Sequence, residues 1–229
     1  MIIIYFFLFI FSNVIASDEI FNKKIEQFLL ENPEIIIKSI ENYRVSQKNS
    51  EQNKIDKIIK SQENLIFKVT GGMYSGNYNS SQKIVVFFDY NCGYCKKAYS
   101  EIKNILKKSD FMVIYRQLPL LSDESMELAK LSISMALNYE EKFLKFHEFL
   151  YFESPGLEDE KLRLFFDREE IDYIKVKNYS NNTKINEIIN SDIQLAKKLK
   201  ISGTPAFVIK NDVITGWMGK KIFESLINN

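Results

Sequence analysis

Apolar positions change their spacing several times along the chain, and each change predicts a different kind of element. Residues 2–11 form an unbroken apolar run. From Ser17 to Phe67 the spacing is helical. Phe21, Ile25, Phe28 and Leu29 share one face, Ile36, Ile40 and Tyr43 continue it, and Ile55, Ile58, Ile59, Leu65 and Ile66 resume it. Asn32-Pro33-Glu34 predicts a helix restart, with Asn as N-cap and Pro at the first helical position. After Gly71-Gly72 and Gly76-Asn77 the pattern shifts. Ile84 to Phe88 is continuously apolar, as suits a strand buried on both faces. A helix follows with Cys95, Ala98, Tyr99, Ile102, Ile105 and Leu106 on one side, then a second buried strand over Phe111 to Arg116. Residues 122–199 read as helices, among them 126–137, 141–152 and 185–199. Ala206 to Ile209 and Val213-Ile214 restore strand signal around a Lys210-Asn211-Asp212 turn, and a short helix from Gly219 ends the pattern.

The predicted order is therefore βαβ, a helical insertion, then ββα, with a helical extension in front. The fold class is α/β with a parallel βαβ unit. The extension carries a narrow stripe interrupted by the polar stretch Arg44 to Lys54. Such a helix cannot bury itself alone and must pack on the main domain or on another copy of the chain. Self-association through residues 17–67 is the expectation, with a solvated helical linker as the alternative. Residues 1–16 are shorter than the roughly 20 apolar residues that span a bilayer. Val14-Ile15-Ala16 before Ser17 fits signal-peptide cleavage, although no Lys or Arg precedes the apolar run. An uncleaved anchor is the alternative, and either implies export to a compartment where disulfides persist.

Composition narrows the chemistry. A net charge of +1 with interspersed charges gives no basic surface for nucleic acid. Two cysteines, Cys92 and Cys95, exclude a disulfide-stapled scaffold. They would make a poor staple, because the loop they close is tiny. A structural zinc site wants about four ligands. Here there is one CxxC and one histidine, His147, set in a helix among Phe143, Phe146 and Phe149, where packing explains it.

The pair lies where a strand gives way to a helix. That position lets the two sulfurs bond, leaves Cys92 near the helix end and points Cys95 inward. First-turn amides and the positive end of the helix favour a Cys92 thiolate. The dipole supplies roughly 0.3–1 kcal/mol and at most about 2, little more than one pKa unit. A larger drop needs direct hydrogen bonds. Farther along, Ile201-Ser202-Gly203-Thr204-Pro205 precedes a returning strand. Proline suits a first strand position, and X–Pro bonds alone take the cis form cheaply. A cis Pro205 would present the Thr204 backbone near Cys92, where an extended peptide could pair with it. An ordinary loop proline before a strand is the alternative, and the residues read alone favour it.

Phe87-Phe88-Asp89-Tyr90-Asn91-Cys92-Gly93-Tyr94-Cys95-Lys96-Lys97 resembles the active-site segment of DsbA-like periplasmic thiol–disulfide oxidoreductases. Gly203-Thr204-Pro205-Ala206-Phe207 resembles their cis-proline loop, and Tyr115 to Leu121 the segment after their second strand. The resemblance covers about residues 68–229, and the N-terminal helices look like those of the ScsC and Com-type subgroup. It implies a thioredoxin fold with an all-helical insertion at about 122–199 and an N-terminal helical extension that oligomerises. It also implies Cys92 as nucleophile, Cys95 as resolving thiol, and Thr204 and cis Pro205 as the substrate-binding loop, with Gly93, Tyr94 and Asp89 in support. No cofactor beyond the redox-active cysteine pair is implied. The partners implied are exported cysteine-containing proteins and a membrane redox protein that resets the pair. Gly93-Tyr94 and Thr204 resemble disulfide isomerases more than the strong oxidase. A DsbA-like oxidase, or a surface or metal-binding protein with a vestigial CxxC, are the rivals. Val86 stands where the family often has a glutamate, leaving a buried proton acceptor to come from elsewhere, with Asp89 a candidate.

Overall fold

The computed structural model describes residues 19–153 and 159–228, so the proposed leader at 1–16 lies outside them. In chain order the elements begin with α1 (19–31), α2 (Pro33–Ser61) and α3 (Glu63–Ile66). Next come β1 (Tyr74–Gly76), β2 (Lys83–Phe88), α4 (Gly93–Leu106) and β3 (Met112–Gln117). Helices α5 (Asp123–Asn138), α6 (Phe143–Phe152), α7 (Asp159–Arg168), α8 (Tyr173–Tyr179) and α9 (Thr183–Lys198) follow, with one 3-10 turn at Glu140–Lys142. Strands β4 (Ala206–Ile209) and β5 (Asp212–Thr215) and helix α10 (Lys220–Asn228) complete the order.

The chain divides into two compact units, 1–53 and 54–229. The division falls inside α2 rather than at residue 67. Ile55, Ile59 and Ile66 are buried in the core of the second unit, so the last turns of the expected extension belong to the main domain. In the first unit the predicted break at Asn32 is present, but its side chain works backwards. Asn32 Nδ2 donates to Phe28 O at 2.8 Å, closing α1, while its carbonyl accepts from Ile35 N at the start of α2. The polar stretch 44–54 does not interrupt α2. It contains no glycine or proline, and six of its eleven residues are Arg, Lys, Gln or Glu, which favour helix.

The second unit is built on a five-stranded sheet in the order β1-β3-β2-β4-β5. Strands β2 and β3 run parallel, joined by α4 as predicted, and every other pairing is antiparallel. Side chains alternate between two cores, as period-two geometry requires. Ile84, Val86 and Phe88 face α4 and the inserted helices, while Val85 and Phe87 face Ile55, Ile59, Ile66 and Leu195. Strand β1 was not legible in advance, since three residues between glycines carry too little pattern. The β4–β5 turn is tighter than expected: Asp212 already pairs with Ile209, and Lys210 takes φ 55°.

One buried ion pair ties three segments together. Arg116 of β3 is 4% exposed and donates from Nη1 to Asp192 Oδ1 of α9 at 2.9 Å. Its Nη2 reaches the carbonyls of Ile66 at 3.1 Å and Lys68 at 2.9 Å, and that of Leu65. Asp192 Oδ2 also accepts from Gln117 N at 3.0 Å. Burial pushes the Asp192 carboxyl up to about 6 against the opposing pull of Arg116, so the pair is charged at neutral pH. Removing one member strands the other. Asp192→Asn is expected to cost about 3–5 kcal/mol, read as a lower urea midpoint at pH 7.5; an unchanged midpoint would refute the assignment.

Candidate active site

The site grows from the end of β2. Asp89, buried just beyond Phe88, is the hub of the loop that follows. Its Oδ1 accepts from Asn91 N at 2.9 Å, and its Oδ2 accepts from Leu120 N at 2.9 Å and Leu121 N at 3.1 Å. The carboxylate thereby stitches the β2–α4 loop to the loop after β3. Asn91 Nδ2 adds contacts to Ser122 Oγ, Glu124 Oε2 and Ser125 Oγ at 3.0–3.1 Å, around the first turn of α5. Asp89 therefore supports the loop, but three backbone amides occupy its carboxylate.

Cys92 is the N-cap of α4, with extended backbone at φ −87° and ψ 111°, and its carbonyl accepts from Cys95 N and Lys96 N. A side chain at this position meets the unpaired first-turn amides. Across from it the Thr204–Pro205 bond is cis, and Cys92 Sγ in its thiol form donates to Thr204 O at 3.2 Å. The structure thus brings Cys92, Cys95, Thr204 and Pro205 together, with both thiols reduced. Gly93 is exposed and open on its Cβ side, and Tyr94 is 68% exposed beside it.

The two sulfurs differ in environment more than in distance from solvent. Cys92 is 8% exposed, more covered than its place at a helix end implies, because the Thr204–Pro205 loop lies over it. Its thiol is nonetheless pulled down to about 6. A hydrogen bond from Cys95 is the largest cause; Thr204 and the backbone amides of Cys95 and Tyr94 assist, and burial opposes them. Cys95 is 2% exposed and shifts the other way, pushed far above the thiol range by burial and by the hydrogen bond it gives to Cys92. One sulfur is a thiolate at neutral pH and the other a held thiol. The Lys96 ammonium sits 4.9 Å from the centroid of the Phe152 ring.

Beneath the cysteines lies a polar cluster that the sequence did not reveal. Tyr90 Oη meets Ser132 Oγ at 2.6 Å and His147 Nδ1 at 2.7 Å, and Gln117 Nε2 donates to Ser132 Oγ at 3.1 Å. All four are buried. Only His147 carried a signal, as a lone histidine in an aromatic helix, and it read as packing. Among the described residues no group of three His, Cys, Asp or Glu side chains could hold a metal, and no helix is long and apolar enough to cross a membrane.

With that geometry in hand, comparison with known proteins is direct. The thiol-disulfide exchange protein alpha-DsbA2 from Wolbachia pipientis is 27% identical with TM-score 0.70, over 78% of this chain and 97% of that one. The catalytic domain of Proteus mirabilis ScsC is 21% identical with TM-score 0.67, over 76% and 96%. BcfH of Salmonella enterica Typhimurium is 19% identical with TM-score 0.71, over 95% and 97%. The last two likenesses establish the fold alone. No curated protein matches the chain by sequence. The thioredoxin family model matches residues 68–229, a span that takes in both cysteines and the Thr204–Pro205 loop, and the chain belongs to that family, among DsbA-like and ScsC-like structural neighbours.

Proposed function

We propose that the protein is an exported thiol–disulfide oxidoreductase that exchanges disulfides with secreted proteins through Cys92 and Cys95. The observation that carries this reading is the split between the sulfurs: a thiol lowered to about 6 beside one raised by burial, set against the Thr204 carbonyl. The Cys92 thiolate attacks a substrate disulfide and forms a mixed disulfide, and one substrate sulfur leaves. Cys95 then attacks Cys92 Sγ, the mixed disulfide breaks, and the second substrate sulfur departs. The pair ends oxidised and the substrate reduced. The reverse direction oxidises a substrate dithiol. The Thr204 backbone holds the substrate chain, and Tyr94, Leu120 and Leu121 offer exposed apolar surface for it. The resemblance to an exchange protein by name and the apolar leader at 1–16 support export and redox use.

Within this class we favour isomerase or reductase use. Gly93-Tyr94 and Thr204 point that way, and so does the N-terminal extension. There Ile20, Phe21, Phe28, Leu30, Ile37 and Tyr43 are all more than half exposed, which suits a homo-oligomer. An oxidase is the second reading, because a thiolate at neutral pH stabilises the reduced pair and makes the disulfide more oxidising. A membrane redox partner that resets the pair belongs to either reading. The pair's reduction potential ranks them.

Cys92→Ser is expected to abolish insulin reduction, whereas Cys95→Ser traps mixed disulfides; full activity in Cys92→Ser would remove the enzyme reading. Iodoacetamide should alkylate Cys92 with a half-maximal rate near pH 6 and leave Cys95 unlabelled in the folded protein. The sign for stability follows from linkage. The folded thiol is depressed below its unfolded value, so it stabilises the reduced form above about pH 8.5. That stability is lost as pH falls through about 6. Thermal melts of the reduced minus the oxidised form check it. Deleting residues 17–53, which spares the buried Ile55 and Ile59, is expected to give a monomer by sedimentation with weaker refolding of scrambled ribonuclease. An unchanged subunit count would count against the oligomer.

A further inference from the structure

His147 has a hydrogen-bonding hydrogen that no protein group receives. The residue is fully buried, its Nδ1 meets Tyr90 Oη, and no protein atom pairs with its Nε2. Its ring shares a small cavity with Cys95, walled by Val86, Ala98, Ile102 and Tyr151. That cavity leaves about 10 Å3 for the centre of a water molecule, which is about what one water requires.

The direction of the chain of hydroxyls sets the histidine's tautomer. Gln117 Nε2 can only donate, so Ser132 Oγ accepts from it. Ser132 has one hydrogen to give, and Tyr90 Oη is the partner in reach. Tyr90, its phenol pushed well above the ordinary range by burial, keeps its own hydrogen and gives it to His147 Nδ1. Every other orientation leaves a buried hydroxyl hydrogen unused, at a cost of roughly 1–3 kcal/mol. His147 is therefore neutral, with its hydrogen on Nε2; burial also pushes its pKa down to about 3. It cannot serve as a base. It is a donor.

Resting on the exchange reading above, we propose that His147 is a positioning residue for the resolving step, donating from Nε2–H through one water to Cys95 Sγ. As Cys95 attacks Cys92 Sγ, negative charge gathers on a sulfur otherwise ringed by apolar and aromatic side chains. The donated hydrogen bond stabilises that charge. The Cys95 S–H bond breaks, the Cys92–Cys95 bond forms, and the bond from Cys92 to the substrate sulfur breaks. The electron pair goes to the substrate sulfur, which takes up the Cys95 proton. His147 ends as it began. Val86, apolar on the same cavity, leaves this place to the histidine.

The single histidine makes the tautomer readable in the native chain. In protein labelled with 15N-histidine, Nδ1 is expected at the shift of an unprotonated nitrogen and Nε2 at that of a protonated one. An Nδ1–H tautomer would overturn the inference without any variant. Single-turnover reaction of reduced protein with a fluorescent peptide disulfide separates mixed-disulfide formation from release. In His147→Phe, formation should proceed at the parent rate while release slows about tenfold to a hundredfold, the worth of a hydrogen bond to a charged group. His147→Gln, which restores an N–H, should recover part of the loss. Release at the parent rate in a folded His147→Phe would sink this inference alone. A parent that forms no mixed disulfide would sink the exchange reading and this one with it.

Discussion

Three backbone amides converging on the Asp89 carboxylate hold the active end of this molecule in shape. Strand pairing holds β2 and β3 together as far as Phe88 and Gln117, with Leu118 N donating to Phe88 O at 2.8 Å. Beyond that point the Asp89 carboxylate, shared between the two loops, keeps them together. Hydrogen bonds to a charged group are about twice as strong as neutral ones, and the site is buried, so the loops gain little by letting go. With the β2–α4 loop pinned, Cys92 caps α4 where the Thr204–Pro205 loop leads into β4.

From that placement the chemistry divides itself. Two identical side chains three residues apart would titrate alike in water. Here one meets amide hydrogens and a neighbouring thiol, and the other meets aromatic rings. The hydrogen bond between them acts in opposite directions on its two ends: it favours charge on Cys92 and disfavours it on Cys95. The pair is asymmetric before any substrate arrives. The same burial that quiets Cys95 also makes its later activation the harder step, and the donor chain from Gln117 through Ser132, Tyr90 and His147 ends at the cavity beside it.

Much of this was legible in residue patterns because the responsible physics is local. An apolar run followed by CxxC announced the strand and helix, and helical spacing announced the inserted helices, whereas Thr204-Pro205 alone reads as an ordinary loop proline and only the resemblance set it opposite Cys92. What stayed hidden depends on contacts between distant positions. The bridging role of Asp89 had no signal, because its three amides come from residues 91, 120 and 121 and only folding gathers them. Tyr90, Ser132 and His147 come from a loop and two inserted helices, and nothing in their spacing says they meet. The family match begins at residue 68, but the core of the second unit reaches back into α2. The stripe at Ile55 and Ile59 looks like a continuation of the extension, and only the sheet beneath shows that it has changed partners.

Arg116 has a bearing on how this chain tolerates change in length. Its Nη2 is shared by the carbonyls of residues 65, 66 and 68, a run too short to slide without withdrawing an acceptor from a buried cation. Insertions or deletions between Ile55 and Lys68 would shift that run against β3 and leave the guanidinium facing the wrong atoms. The run from residue 65 to residue 68 therefore has a fixed length, although it carries none of the residues of the site.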